Sequence, residues 1–326
     1  MSAERILITG GAGLIGSHIA ELLAQDPKAP EVVILDNFVG GSRENLAGIN
    51  PARLRVIEGD IRDSKTVSEA MKGVDYVFHQ AAILITRCAQ EPRLAMDVLV
   101  NGTFNVLEAA VQHKVKKVVA ASSASVYGLA DKFPIPETQH PYNNRTLYGA
   151  AKAFSEGMMR SFNEMYGLSY VGLRYFSVYG PRMNINGVYT EVLVRWIECI
   201  ENGQAPVIFG EGKNLIDYVY VQDVARANVL AMRAPASDKV FNVASGVEIS
   251  LKELAGVLAR VMGSDLQPEH RPERKANAVA RRVADTTAAQ RDLGFRTQVP
   301  IEEGMRRLVA WWRTKKNQTK AETILV

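Results

Sequence analysis

Residues 6–18 read ILITGGAGLIGSH: a short β-branched run, Ile6–Thr9, then Gly10, Gly13 and Gly16, with an apolar helical pattern starting at Leu14. A strand that turns sharply into a helix needs glycine where the turn is tight, where backbone approaches a pyrophosphate, and where helix packs on strand. The free N–H groups of the helix N-terminus then face the phosphates. The next apolar run, VVIL over Val32–Leu35, leads into Asp36, twenty residues after Gly16. A carboxylate there accepts hydrogen bonds from a ribose diol and repels a 2′-phosphate, so NAD is expected rather than NADP. Arg43, seven residues further on, is the one feature that argues for the phosphate.

Outward from this turn, strand candidates at 54–58, 76–79, 115–121 and 170–174 alternate with helical patterns at 64–71, 94–113 and 148–165. Strands separated by helices need crossover connections, which give a parallel sheet covered on both faces. The expected fold is α/β, a doubly wound parallel, Rossmann-like sheet with a smaller, discontinuous mixed α/β substrate domain. The expected boundaries are 1–175 plus about 217–243 for the first domain and about 176–216 plus 244–315 for the second. Residues 316–326, polar until the last three, are expected to form a flexible tail.

Lys and Arg number 39 against 35 Asp and Glu, a formal charge of +4 that gives no ground for a nucleic-acid partner. Cys88, Cys199 and the five histidines show no metal-ligand spacing, so no metal site is expected. No continuous apolar stretch reaches the roughly 18 residues that span a bilayer, and MSAERILITGG lacks a basic n-region. These features predict a cytoplasmic protein with no membrane association.

Chemistry concentrates at three further strand ends. Asp60 and Ile61 follow the third strand, and a carboxylate there can meet an adenine amino group. The fourth strand ends in HQAA, where the small Ala81 and Ala82 leave room for a dinucleotide crossing the sheet edge. His79 reads as a satisfied core histidine. In LYGAAK, Tyr148 and Lys152 stand at i and i+4 and share a helix face, and Ser123 closes the fifth strand. An ammonium beside a phenol is expected to pull the Tyr148 pKa from about 10 towards neutrality, making it a general base for a sugar hydroxyl. Lys152 can also reach a nicotinamide ribose, and Ser123 can hold the same substrate oxygen.

In TGGAGLIGSH, LDNF, GDIRD, HQAA, SSASVYG, YGAAK, LRYFSVYGPR, DYVYVQDVARA and FNVASG the chain resembles the extended short-chain dehydrogenase/reductase family, and within it the sugar-nucleotide epimerases and dehydratases. The resemblance implies that Ser123, Tyr148 and Lys152 are catalytic and that NAD is tightly bound. Leu14, Ile15, Asp36, Asn37, Asp60, Ile61, Ala81 and Phe176 would touch it, with Gly10, Gly13, Gly16, Gly41, Ser42, Gln80, Ala82, Tyr148 and Lys152 completing its site. It also implies a homodimer formed through helices near 94–113 and 148–166.

Dehydratases of the family carry Thr-Asp-Glu before Val-Tyr-Gly, where this chain has Ser123, Ala124 and Ser125, so the acid and base for expelling water are missing. Decarboxylases place Glu at Ser125. The resemblance therefore implies epimerisation of a nucleotide-diphosphate sugar, a UDP-hexose, N-acetylhexosamine or uronic acid, at C4 through a 4-keto intermediate. A net dehydrogenase or reductase is the alternative, and an NAD-sensing binding protein a third class. Departures fall on the substrate side. Ser177 stands where relatives have Asn, Leu99 replaces another Asn, and Ile216 replaces the Arg expected at the diphosphate. Arg182, Arg274, Lys275, Arg281 and Arg282 are the available cations, each either a ligand of the diphosphate or a surface charge. Arg87 either meets a sugar carboxylate or acetamido group or pairs with Glu91. Phe209 is either a wall for the base or a core aromatic, and Ser125 and Tyr189 complete the expected substrate contacts.

Overall fold

The computed structural model describes residues 4–26, 30–185, 192–272 and 280–324. Apolar, β-branched runs form β1 (Arg5–Thr9), β2 (Glu31–Asp36), β3 (Leu54–Glu58), β4 (Tyr76–His79), β5 (Lys117–Ser123) and β6 (Tyr170–Tyr175). Further strands are β7 (Ser177–Tyr179), β8 (Val207–Phe209), β9 (Leu215–Tyr220), β10 (Lys239–Val243), β11 (Glu248–Ser250), β12 (Glu269–Arg271) and β13 (Arg281–Arg282). The large sheet has seven strands in the order β10-β6-β5-β4-β1-β2-β3, every pair parallel. The order reverses between β1 and β4, the place where the carboxyl ends of an open α/β sheet leave a crevice for a ligand.

Residue alternation along β1 sends Ile6 and Ile8 to one face and Leu7 to the other. The first face packs on α1 (Leu14–Ala24), α8 (Val221–Arg233) and α10 (Thr287–Leu293). The second packs on α2 (Ser64–Ala70), α5 (Thr103–Gln112) and α6 (Leu147–Tyr166). The expected α/β sheet covered on both faces is what the chain forms. Between β4 and α5 lie α3 (Ile85–Gln90) and α4 (Pro92–Met96), and a π-type turn over Asp97–Gly102 joins α4 to α5. The resulting run Pro92–Gln112 is long and apolar enough to cross a membrane, contrary to the expectation that no such stretch exists, and half of its apolar window is buried inside the protein. Val98, Val106, Leu107, Ala109 and Ala110 of this run are buried against the sheet, and Phe104 is left exposed on another side.

Beyond β6 the chain departs from the expected path at one strand. Of the segment 217–243 expected in the first domain, β10 returns to the large sheet, whereas β9 centres a four-stranded sheet with β7, β11 and β13. Its buried Asp217 explains the difference, because the carboxylate accepts from Ser245 N (2.8 Å), Ser245 Oγ (2.6 Å), Gly246 N (2.9 Å) and Ala284 N (3.2 Å) and so holds β9 to those loops. A second core of Tyr179, Trp196, Ile197, Leu254, Leu258, Leu308 and Trp312 gathers α7 (Val192–Glu201), α9 (Leu251–Met262) and α11 (Ile301–Ile324). The helix α11 continues into the segment expected as a flexible tail from residue 316, and Lys316 pairs with Glu198 at 3.0 Å.

One buried ion pair ties α6 to the large sheet. Arg174 on β6 meets both oxygens of Glu156 at 2.9 and 2.7 Å, and donates to Tyr127 Oη at 2.9 Å. Ser122 donates to the same carboxylate at 2.5 Å. Breaking such a pair leaves an uncompensated buried charge. Glu156→Ala is therefore expected to lower stability by about 3 to 5 kcal/mol, read from urea unfolding monitored by circular dichroism.

Candidate active site

Gly10 has φ +66, and a Cβ there would lie 2.7 Å from Ala81 Cα and N. At Gly16 a Cβ would lie 2.4 Å from Gly10 O, and at Gly41 2.8 Å from Ala12 C, whereas at Gly13 the nearest atom is 3.2 Å away. The strand-to-helix turn is thus closed tightly at Gly10, Gly16 and Gly41 and only slightly less so at Gly13, the residue preceding α1. Asp36 ends β2 and accepts from Ala12 N (2.9 Å) and Phe38 N (2.8 Å), fixing the glycine turn with a buried carboxylate. Ser42 N donates to Ala12 O at 3.1 Å, bringing Gly41 and Ser42 over the same turn. Arg43 pairs with Glu58 at 2.7 Å and lies 4.4 Å from the Phe38 ring centroid, so its charge is already matched.

Asn37 donates to Asp60 at 2.8 Å, and Arg62 holds both oxygens of Asp60 at 3.0 and 2.9 Å. The Arg62 hydrogen bonds pull the Asp60 pKa down to about 2, so the carboxylate is ionised. Ile61 is buried against Gly102, where a Cβ would approach within 2.6 Å of it. Leu14 packs towards the second core and Ile15 towards the first. Ala81 is partly buried and Ala82 exposed. Gln80 turns away from this groove: its side chain joins Asn228 and Tyr175 Oη, each at 3.0 Å. The buried His79 bonds Thr9 Oγ1 (2.8 Å) and Thr103 Oγ1 (3.0 Å), and burial pushes its pKa down to about 3, the neutral core role expected of it. The glycine cradle, the Asp36 carboxylate and the small residues at the β4 end together fit a dinucleotide with an unphosphorylated ribose.

Across the crevice, Thr146 caps α6 by accepting from Gly149 N at 3.1 Å, which sets Tyr148 in the first turn of the helix and Lys152 one turn later. A Cβ at Gly149 would lie 2.3 Å from Asn144 Nδ2 and 2.4 Å from Ser125 O, so the helix is pressed against the turn after Ser123. Asn144 braces that turn by donating to Ser125 O at 2.8 Å. Neither Asn144 nor Thr146 stood out among the catalytic residue types, although Thr before an apolar-periodic run is a legible capping signal.

Ser123 lies close enough to Tyr148 to bear on its pKa, and Lys152 Nζ lies 5.9 Å from the Tyr148 ring centroid while donating to Ala121 O at 2.6 Å. Burial pushes Tyr148 up to about 12, against the downward pull of the Ser123 hydrogen bond. The expected shift towards neutrality is thus reversed in the protein alone, because desolvation of the phenolate outweighs an ammonium directed at a backbone carbonyl. Burial also lowers Lys152 to about 8.

The expected substrate contacts divide. Ser125 donates its N–H to Ser123 Oγ at 3.1 Å, and Ser177 lies on β7, in register with Tyr218. Phe176 is buried, 6.4 Å from the Tyr127 ring. Phe209 is partly buried on β8, in register with Arg271. Arg87 pairs with Glu91 at 2.8 Å and Arg182 with Glu21 at 2.7 Å, local charge matching rather than open cations. Tyr189, Arg274 and Lys275 lie outside the described residues.

The sequence profile of the NAD dependent epimerase/dehydratase family matches residues 6–244. A putative UDP-glucose 4-epimerase of Methanocaldococcus jannaschii is 36% identical over 312 residues, 94% of this chain and 98% of that protein. A UDP-N-acetylglucosamine 4-epimerase from Methanobrevibacter ruminantium, solved with UDP-N-acetylmuramic acid, superposes with a TM-score of 0.91 at 33% identity, covering 97% of this chain and all of that one (100%). A UDP-N-acetyl-alpha-D-glucosaminuronate decarboxylase of Bacillus cytotoxicus is 32% identical over 96% of this chain and 99% of its own length. The chain belongs to the NAD-dependent epimerase/dehydratase family of enzymes.

If Gly149 sets the distance between Tyr148 and Ser123, Gly149→Ala should lower kcat about 100-fold or more with little change in NAD content, measured by turnover and by cofactor extraction. Lys152→Met is expected to move the rise of kcat with pH to higher pH. Loss of a neighbouring cation makes the phenolate harder to form, and the pH profile of kcat checks the direction.

Proposed function

We propose that the enzyme interconverts UDP-sugars at C4 through a transient 4-keto sugar, with NAD held tightly throughout turnover. The juxtaposition of Ser123, Tyr148 and Lys152 opposite the glycine cradle, with Ala124 and Ser125 in place of an acidic pair, carries this reading. When bound, NAD supplies a reversible hydride acceptor. The phenolate of Tyr148 takes the proton of the C4 hydroxyl and later returns it, with Ser123 holding the same oxygen. Lys152 supplies positive charge that favours the phenolate, while its anchor on Ala121 O keeps it on the cofactor side of the helix. Ala124 and Ser125 offer no carboxylate after Ser123 to remove water from the sugar or to assist loss of carbon dioxide. A 4-keto sugar formed here is therefore reduced back rather than carried forward, and the reaction has no net redox change.

Proton NMR of UDP-glucose, UDP-N-acetylglucosamine and UDP-glucuronate, each incubated with the purified enzyme and no added cofactor, tests this. Appearance of the C4 epimer from at least one sugar is expected. Conversion that requires added NAD or NADPH and consumes it in proportion to product would establish a net oxidoreductase instead.

The enzyme also acts as a homodimer in this reading. Phe154 and Met165 on α6, eleven positions apart and so on one helix face, are 57% and 60% exposed, beside Phe104 at 43% on α5. A second copy that covers these residues buries apolar surface from both helices. Sedimentation velocity should give a dimer for the native chain and a monomer for Phe154→Glu/Met165→Glu.

A further inference from the structure

A cavity opens at the edge of the second core, with a volume of about 690 Å³, a size that holds a small organic ligand. Its apolar walls are Val247 and Ile249 at β11, Val257 on α9, and Val299, Pro300 and Ile301 where the chain enters α11. β11 and β13 flank β9 on opposite edges, and the cavity lies on the β11 edge. None of its described lining residues is one assigned above to NAD, to the sugar nucleotide or to proton transfer.

The walls are held by hydrogen bonds of the fold itself. Asp217 accepts from Ser245 N (2.8 Å) and Gly246 N (2.9 Å), fixing the loop that carries Val247. Asp223 accepts from Gln298 N (3.0 Å) and Val299 N (3.2 Å), fixing the stretch that leads into α11. A capping box between Ser250 and Glu253 sets the start of α9. A site ordered in advance loses little freedom when a ligand enters. Gly256 leaves the helix side of the cavity open: apart from its chain neighbours and its own helix backbone, a Cβ there would meet only Arg260 Nη1, at 3.6 Å, among the described residues.

Charge in the cavity is unevenly matched. Of its two carboxylates, Glu248 pairs with Arg281 at 2.7 Å, and Glu253 accepts from Ser250 N at 2.9 Å and Ser250 Oγ at 2.6 Å. Arg260, exposed and one turn beyond Gly256 on the same helix face, has no hydrogen bond or ion pair with any of the described residues. Val247 is 68% exposed, an aliphatic side chain at the rim that the body of a ligand would cover. Apolar walls with one uncommitted cation at the mouth match a molecule that has an apolar body and a single anionic group.

We propose that this cavity is a second ligand site, separate from the NAD and sugar crevice, for a small amphipathic anion whose body lies against Ile249 and Val257 and whose charged group meets Arg260. The site is independent of which sugar the enzyme turns over. A guanidinium pairs with carboxylate and phosphate alike, so either group meets the requirement.

Fluorescence titration of the NAD-loaded enzyme with anilinonaphthalenesulfonate, an aromatic body bearing one anionic group, tests the site without relying on turnover. Arg260→Gln and Gly256→Leu are each expected to weaken the dye about tenfold or more and to leave NAD content unchanged, with partial recovery in Arg260→Lys. Arg260 is exposed, and leucine is a better helix former than glycine, so both variants should keep the native circular dichroism. Decanoate and decyl phosphate are expected to displace the dye from native enzyme at concentrations at least tenfold below those of decanol or decyltrimethylammonium, and the tighter of the two anions identifies the preferred group. Native enzyme that binds no dye, or equal affinity in native enzyme and both variants, overturns the proposal. Loss in Arg260→Gln without loss in Gly256→Leu places the anion on the open surface and overturns the cavity as its site. Decanol or decyltrimethylammonium competing as well as decanoate refutes the anionic ligand, and displacement of the dye by UDP puts it in the crevice instead.

Discussion

The site depends on how closely α6 approaches the end of β5. Gly149 is the residue that permits it, since any side chain there would collide with Asn144 and the Ser125 carbonyl. Because Thr146 caps the helix one turn earlier and the Glu156–Arg174 pair pins it two turns later, Tyr148 and Lys152 are held at both ends of the segment that carries them. Rigid placement matters more for this chemistry than for binding, because a proton moves only when donor and acceptor are within hydrogen-bond reach. Ser123 stands beside Tyr148, and the short turn after it is fixed by Asn144.

Burial of this constellation has an electrostatic consequence. Tyr148 and Lys152 are both displaced towards their neutral forms, up to about 12 and down to about 8, because the protein alone solvates neither charge well. A phenol shifted in that direction is a poor base until further positive charge arrives, and an oxidised nicotinamide is a cation. On the proposed reading, bound NAD would supply that charge and so favour the phenolate only in the loaded enzyme.

Much of this was legible in the sequence. The Gly10–Gly16 turn, Asp36 at the end of the second strand and Tyr148 with Lys152 at helical spacing are local patterns, and the structure places each on the element its spacing predicts. What stayed hidden depends on distant partners or short elements. Strands β7, β8, β11, β12 and β13 have two or three residues each, too few for alternation to register. Arg87 could be matched to Glu91 by its i+4 spacing, but the partner of Arg182 is Glu21, 161 residues away. The direction of the Tyr148 shift was misjudged because helical spacing reveals the neighbouring lysine and says nothing about desolvation. Arg281 pairs with Glu248, 33 residues away, which no local spacing in the sequence reveals.

The most direct test of the central claim is the fate of the C4 hydrogen. UDP-glucose deuterated at C4, or whichever UDP-sugar is turned over, can be followed by mass spectrometry and NMR after incubation with the holoenzyme in ordinary water. If Ser123, Tyr148 and Lys152 serve a reversible oxidation at C4 within one closed site, the epimer retains the full label at C4. Loss of deuterium to solvent, or its appearance at another carbon, would contradict that account.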